Sequence, residues 1–427
     1  MVVMLFVLMF AFMLAAAPAF VSLGLSSMAS LAALSNFPLT VITQRLVGGI
    51  DRFSLMSIPF FILGANVMKN GGIARRIIEC AHVLVGGMKG GLALTTQLAC
   101  MFFGAVCGSS PATVVAIGGL MHPALKEKQY DDGFAAGLVA ASGSVALLIP
   151  PSISAIVYGA VTGVSVGALF MAGLGAGILY GTFFLMYCYY YAKKHNVPQD
   201  KQSAAAEKWL AAKKASWALG VPIIILGGIY LGIFTPTEAS AIATVYAIFV
   251  SMVIYKEMNL KMLFKSCVDS AETTAQVMII IAAASVFGWV LTVGQLPNTL
   301  ATMIINSNMN KYTFLFIVNI ILIICGMFLD GSAFIVIMAP LLAPLAARME
   351  INMIHFGVIF VANAAIGMFT PPIGLNLFVA KSVTGSSMAV IFKGVWPFIL
   401  VSIFILLILT YIPAVSLFIP RLIYGNI

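Results

Sequence analysis

The chain has 427 residues, 62% hydrophobic and only 8% charged, whereas an ordinary soluble domain carries about 25% charged residues. Several apolar runs approach or exceed the roughly 20 residues needed to span a bilayer as helix, so the composition reads as a polytopic α-helical membrane protein. The net charge of +9 does not mark a nucleic-acid partner, because the cations sit in short loops between apolar runs, where the positive-inside rule places them.

In chain order the expected spans are 3–34, 53–68, 91–124, 131–165, 167–191, 216–234, 237–255, 276–296, 313–346, 354–385 and 394–418. The first begins "MVVMLFVLMFAFMLAAAPAF". It lacks the basic n-region of a signal peptide, so it reads as an uncleaved membrane segment, one long helix or two short ones. The segment 69–91 carries Lys69, Arg75, Arg76 and Lys89 on an amphipathic pattern. It reads as a helix lying on the membrane or as an arm bracing a moving part, with 260–276 as its expected counterpart. The run 91–124 is too long for one simple crossing. The loop 191–216 holds Lys193, Lys194, Lys201, Lys208, Lys213 and Lys214 against Asp200 and Glu207, which places it in the cytoplasm. The segments 256–265 and 126–128 fall on the same side.

The chain repeats itself. Pro150-Pro151 matches Pro371-Pro372 and Pro123 matches Pro344 at a spacing of 221 residues, and Thr162-Gly163, Ser165 and Phe170 recur 222 residues later. Each half contains a long apolar run with a Gly/Ser-rich middle, then an apolar run broken by Pro-Pro. If 91–124 and 313–346 turn back at their polar middles, five crossings separate them, and the second hairpin enters from the opposite face. Paired interrupted segments in an inverted repeat are the sequence pointer to a secondary transporter's binding site.

Proline in a helix interior removes a donor and costs about 3 kcal/mol or more. Non-helical backbone at membrane depth survives only inside protein or beside a water-filled cavity. The broken ends offer carbonyls to a hard cation and amides to a carboxylate. "GSSPAT" (108–113), "LDGSA" (329–333) and "FTPPIGLN" (369–376) add hydroxyls, an amide and the carboxylate of Asp330. Asp330 is a functional candidate or a helix cap near the interface. Lys381 attracts a substrate anion or snorkels to the cytoplasmic interface. Glu238 reads as a helix N-terminal acid. His82, His122, His195 and His355 form no spaced pair and read as surface or interface residues. The six cysteines have neither disulfide density nor metal-ligand spacing and read as buried thiols. There is no G-x-x-x-x-G-K-[ST] and no H-E-x-x-H, and an enzyme is not expected.

At "FSLMSIPFFILGANVMKNGGIARRI" (53–77), "FFGAVCGSSPATVVAIGG" (102–119), "LLIPPSISAIVYG" (147–159), "GIFTPTEASAIATVYA" (232–247), "GMFLDGSAFIVIMAPLLAP" (326–344) and "NAAIGMFTPPIGLNLFVA" (363–380) the chain resembles the large, DctM-like membrane subunit of tripartite ATP-independent periplasmic (TRAP) transporters, members of the ion transporter superfamily. The resemblance implies Na⁺-driven import of an organic acid anion across the bacterial inner membrane, with two or more Na⁺ and no organic cofactor. It implies a separate four-helix small subunit and a soluble periplasmic substrate-binding protein as partners, and an elevator-type transport domain on a scaffold. By motif position, Gly108, Ser109, Ser110, Pro150 and Ser152 would border one Na⁺ site, and Gly331, Ser332, Thr370, Pro371 and Gly374 the other. Ser110, Thr113, Asp330 and Asn376 would meet the substrate. The implied division is 1–90 scaffold and arm, 91–165 transport domain, 166–275 scaffold with the basic loop and second arm, 276–387 transport domain, and 388–427 a C-terminal membrane helix. A Gly/Ser-lined site favours sialic acid or another sugar acid over a C4-dicarboxylate. An ATP-driven permease subunit or a channel without Na⁺ coupling is the alternative.

Overall fold

The computed structural model describes residues 1–15, 17–34, 37–38, 40–199, 205–306 and 309–425, and the regular structure among them is helical. The basic-loop residues Asp200 and Lys201 lie outside the described residues. The first expected span is two helices, α1 (Val2–Leu14) and α2 (Ala19–Leu34), broken before Pro18, whose missing N–H ends a helix. Next come α3 (Thr40–Ile50) and α4 (Ser57–Asn70), the latter entered through a short turn from Phe53 and bent 58° from α3. The amphipathic arm is α5 (Ile73–Val85).

The run 91–124 folds as a hairpin of α6 (Gly91–Cys107) and α7 (Ser110–Glu127). Gly108, at φ +62°, makes the turn, a backbone region that side chains with a Cβ avoid. The run 131–165 breaks into α8 (Asp132–Ser144) and α9 (Ile153–Thr162) around a cis Pro150-Pro151 bond. Four longer helices follow: α10 (Val166–Lys194), α11 (Ala205–Tyr230), α12 (Pro236–Phe249) and α13 (Leu260–Val293). Glu238 and Thr235 cap α12 reciprocally, with Pro236 at its first position, as the sequence suggests.

The second half contains α14 (Leu296–Asn306), the hairpin α15 (Lys311–Gly326) and α16 (Gly331–Arg348), and α17 (Met353–Gly367) and α18 (Leu375–Thr384) around a cis Pro371-Pro372 bond. The chain ends with α19 (Met388–Tyr411) and α20 (Pro413–Tyr424). The expected single span 394–418 is therefore two helices, separated at Pro413. Among the described residues five helices, namely α10, α12 with its continuation to Ile254, α13, α16 and α19, are long and apolar enough to cross a membrane alone.

Two expectations about the arms need correction. Residues 260–276 are not a separate arm. With no Gly or Pro between Leu260 and Phe287, the helix runs on for 34 residues, and the domain boundary expected at 275–276 falls inside it. The element that follows α13 as α5 follows α4 is α14. Seven elements then recur in order: α4 to α10, and α13 to α19.

The duplication extends to packing. A Cβ added to Gly104 of α6 would lie 2.8 Å from Ala146 Cα, and one added to Gly367 of α17 would lie 2.5–2.6 Å from the main chain of Gly326 in α15. Each hairpin thus meets its broken helix backbone to backbone. Glycines at φ +79° (Gly163) and +71° (Gly385) end α9 and α18, and Ser165 and Ser387 cap α10 and α19.

Polar pairs tie α4 to α13: Asn66 Nδ2 donates to Ser270 Oγ (2.7 Å) and Asn70 Nδ2 to Ser266 Oγ (3.0 Å). The arm packs on α6 and α11. Arg75 and Arg76 reach Glu257 at 2.6 and 2.9 Å, and Arg76 sits 3.6 Å over the Tyr255 ring. These contacts make α5 a brace against the turn after α12 rather than a free surface helix. Two histidines depart from the surface reading. His122 and His355 are buried, the first beside Asp132 (3.2 Å) and the second on Ser416 Oγ (2.7 Å). Cys267 is exposed and Cys325 half-buried, against the expectation of buried thiols, while the other four cysteines are buried.

Replacing Gly367 by Val should lower stability by about 1–3 kcal/mol through overpacking, because main chain at Gly326 cannot yield as a flexible side chain would. Thermal unfolding of the purified protein measures this; an unchanged midpoint would show that α15 and α17 separate freely.

Candidate functional site

The two hairpin tips and the two helix breaks come together. A cavity of about 560 Å³ is lined by Gly108, Ser109 and Ser110 of the first tip, and Asp330, Gly331 and Ser332 of the second. Leu147, Ile153 and Ser154 of the first break, with Met368 and Leu375 of the second, complete that wall. Four helices therefore begin at the cavity, α7, α9, α16 and α18, with first-turn N–H groups that lack partners within their own helix, several of them capped by Ser152, Asp330 and the breaks. Their partial positive charge favours an anion. The ends of α6, of the turn after α8 and of α17 bring carbonyls to the same place.

The opposite wall comes from two unbroken helices. Ile62, Ala65 and Asn66 of α4 and Thr273, Gln276, Val277 and Ile280 of α13 line it. The spacings i, i+3, i+4 and, on α13, i+7 put these residues on one face of each helix.

The tips are held by specific bonds. Gly108 carbonyl accepts from Ile153 N–H (3.3 Å), which docks the first tip on the start of α9. A Cβ on Gly108 would lie 2.5 Å from the Pro151 carbonyl oxygen, so glycine is required there by φ and by this approach. Asn376, fully buried, donates to Ser110 Oγ (2.7 Å) and to the Ala140 carbonyl (2.8 Å), and Ser110 donates back to its Oδ1 (3.0 Å). One side chain of the second half thus fastens the first tip and α8. Asp330 caps α16, its Oδ1 accepting from Ser332 N–H (2.9 Å) and Ala333 N–H (3.2 Å). Asp330 thus caps a helix and also lines the cavity.

Of the residues singled out in the sequence, Gly108, Ser109, Ser110, Asp330, Gly331 and Ser332 line the cavity. Pro150, Ser152, Thr370, Pro371 and Gly374 sit within the breaks behind it. Ser152 caps α9 at Ala155 N–H (3.2 Å), and Thr370 Oγ1 donates to the Ile366 carbonyl (2.6 Å). A Cβ on Gly374 would lie 2.8 and 2.9 Å from the carbonyl oxygens of Thr370 and Met368, so two carbonyls converge on a place where only glycine fits. Thr113 donates to the Ser109 carbonyl (2.9 Å) and, like Asn376, is buried away from the cavity. Lys381 is exposed and does not line it. Sequence reasoning missed the α4 and α13 wall. Its signal was present as polar Asn66, Thr273 and Gln276 at helical spacing in apolar runs. Among the described residues no group of three or more His, Cys, Asp or Glu could hold a metal.

Comparisons with known proteins give the family and the fold. The family profile of the tripartite ATP-independent periplasmic transporter, DctM component, matches residues 6–415. The chain is 42% identical over 401 residues to the C4-dicarboxylate TRAP transporter large permease protein DctM of Pseudomonas aeruginosa, covering 94% of each chain. It is 38% identical over 431 residues to the protein of the same name from Rhodobacter capsulatus, covering 98% of each. It is also 38% identical to the isethionate TRAP transporter permease protein DctMQ of Oleidesulfovibrio alaskensis, covering 95% of this chain and 64% of that one. The crystal structure of the Alcanivorax borkumensis YdaH transporter shares the fold at a TM-score of 0.68 and 14% identity, over 92% of this chain and 96% of that one. The chain belongs to the DctM component family of tripartite ATP-independent periplasmic transporters, a family of membrane-embedded transporter permeases.

Proposed function

We propose that this permease imports a small organic acid anion across the bacterial inner membrane, driven by co-transported Na⁺. The observation that carries this reading is the charge of the cavity. Among the described residues its wall holds no Lys, Arg or His, and Asp330 is its single carboxylate. An anion entering alone would meet helix N-termini and an opposing carboxylate. Bound Na⁺ supplies the missing positive charge, so each ion raises the affinity for the other, which is reciprocal coupling.

One Na⁺ would sit at the first break, against the Gly108 and Pro151 carbonyls with Ser109, Ser110, Pro150 and Ser152 around them. The second would sit against the Thr370 and Met368 carbonyls, beside Gly331, Ser332, Pro371 and Gly374. Thr370 donates its hydroxyl proton to Ile366 and keeps oxygen lone pairs for a cation. The substrate carboxylate would lie between the tips, on Ser110 and the first amides of α7 and α16. Thr113 and Asn376 then serve by holding the first tip. The relatives' names favour a C4-dicarboxylate or similar small anion. A cavity of about 560 Å³ also has room for a sugar acid, the second choice.

The membrane topology that fits is an inverted repeat, with α6–α9 and α15–α18 as the moving domain and α3, α4 and α13 in the scaffold. With the 191–216 and 256–265 loops inside, all but Arg45, Arg52, Lys311, Arg348 and Arg421 of the 22 Lys and Arg residues fall on the cytoplasmic side, as the positive-inside rule favours. Tyr180 of α10 meets Ser402 of α19 at 2.5 Å, a residue and its counterpart 222 positions later in contact. Such self-pairing is what a two-fold relation between the halves generates. A small membrane subunit and a periplasmic binding protein complete the proposed assembly.

Reconstitution with those two partners tests the proposal. Uptake of labelled succinate should require an inward Na⁺ gradient. With two Na⁺ per substrate, a monoanion would carry one net positive charge inward and respond to membrane potential by about 2.3 kcal/mol per 100 mV, whereas dianionic succinate would cross without net charge. Uptake supported by ATP without an ion gradient would overturn it in favour of an ATP-driven permease, and non-saturating flux in favour of a channel. Ser110→Ala and Thr370→Ala should each raise the Na⁺ concentration for half-maximal uptake several-fold, more than they reduce the amount of protein in the membrane. Unchanged Na⁺ dependence in both removes these residues from the ion sites. Asn376→Ala should instead cost about 1–3 kcal/mol of stability, by leaving buried polar groups unpaired, measured as a lower unfolding midpoint.

A further inference from the structure

A second cavity, about 440 Å³, lies further along the same cleft. One stripe of α13 lines both. It passes from Thr273, Val277 and Ile280 at the first cavity to Ser285, Gly288 and Thr292 at the second. The facing wall advances in step, from Ser154 to Ala160 along α9 and from Ser332 to Pro340 along α16. The two stretches of α13 are centred about ten residues apart, roughly 15 Å at 1.5 Å per residue.

The second cavity differs from the first in charge. Arg45 of α3 and Arg52 line it, the guanidinium of Arg45 lying 5.4 Å from the centre of the Trp289 ring. Among the described residues neither arginine forms an ion pair with an acid, and Asp51 between them does not line the cavity. In the proposed topology this end of α13 faces outward. These are two of the few cations on that side, where the positive-inside rule leaves cations scarce. Placing them in a cleft, one held over an indole, concentrates positive potential where low-dielectric walls focus it.

We propose that this second cavity is an anion-binding vestibule, in which Arg45 and Arg52 hold the carboxylate of the incoming organic acid on the extracytoplasmic side. Guanidinium groups suit this because they bind carboxylate through two parallel N–H donors. The division of charge has a physical logic. A fixed arginine inside the first cavity would replace Na⁺ as counter-charge and weaken coupling, whereas arginines outside it gather the anion without doing so. A slide of the hairpin domain by about 15 Å along α13 would bring the tips level with this vestibule. The inference rests on the proposed topology and substrate class.

The test reads local potential directly. In a chain with Cys267→Ser and Cys325→Ser, a Thr292→Cys thiol faces the vestibule. Right-side-out membrane vesicles are treated from outside with 2-sulfonatoethyl methanethiosulfonate, which is anionic, or with its cationic trimethylammonium counterpart, each rate normalised to that with a free thiol. The anionic reagent should react about tenfold faster or more, and succinate should slow it where equal ionic strength of chloride does not. Arg45→Gln with Arg52→Gln should abolish both effects, while Arg45→Lys with Arg52→Lys should keep the charge preference. Equal rates, a faster cationic reagent, or labelling only from the cytoplasmic side would overturn the vestibule. Transport that needs no Na⁺ would undo the coupling proposal and leave this ratio unchanged, so the two failures are distinguishable.

Discussion

Every peptide group held in hydrocarbon must find its partner within the protein, and the rest of this fold follows from that. The chain gives up helical pairing at two tips and two breaks, so each of these places needs a substitute. Ile153 N–H bonds the Gly108 carbonyl, Asn376 N–H bonds the Met368 carbonyl (2.8 Å), and Thr370 N–H reaches Gly367 (3.2 Å). Asp330 covers two amides of α16. The longer helices α10, α13 and α19 supply continuous walls around these interruptions.

In the proposed reading the two cavities divide the work of handling a charged solute. The first offers main-chain dipoles, hydroxyls and one carboxylate, the kind of surface on which an organic anion is stable only in company with a cation. The second offers two guanidinium groups near bulk solvent. Between them runs α13, tied to α4 by Asn66–Ser270 and Asn70–Ser266. Those amide-to-hydroxyl bonds make the scaffold side of the cleft a fixed surface against which the tips are set.

Much of this was legible in the sequence. Prolines and glycines have local, unmistakable effects on backbone, so the hairpin turns, the Pro-Pro breaks and the 221–222 residue repeat could be read directly. The hidden parts were those set by long-range packing. Leu296–Asn306 lay, but for its first residue, outside the expected spans, because an 11-residue helix leaves a short periodic signal. The continuity of α13 was missed because polar residues at 265–276 suggested a boundary, although no helix breaker lay there. His122 and His355 are buried through partners ten and 61 residues away. Asn376 was readable as a polar group near a break, but its partners Ser110 and Ala140 belong to the other half of the chain. Pairings of that kind carry no local mark.

The contact between Gly326 and Gly367, and its counterpart between Gly104 and Ala146, has a mechanical consequence. Where main chain rests on main chain there is no side-chain rotamer to adjust, so each hairpin and its interrupted helix form one rigid piece. The geometry of the tips and breaks is then insulated from bilayer thickness. Strain from it is absorbed at the boundary with the surrounding helices, leaving the carbonyls at the breaks undisturbed.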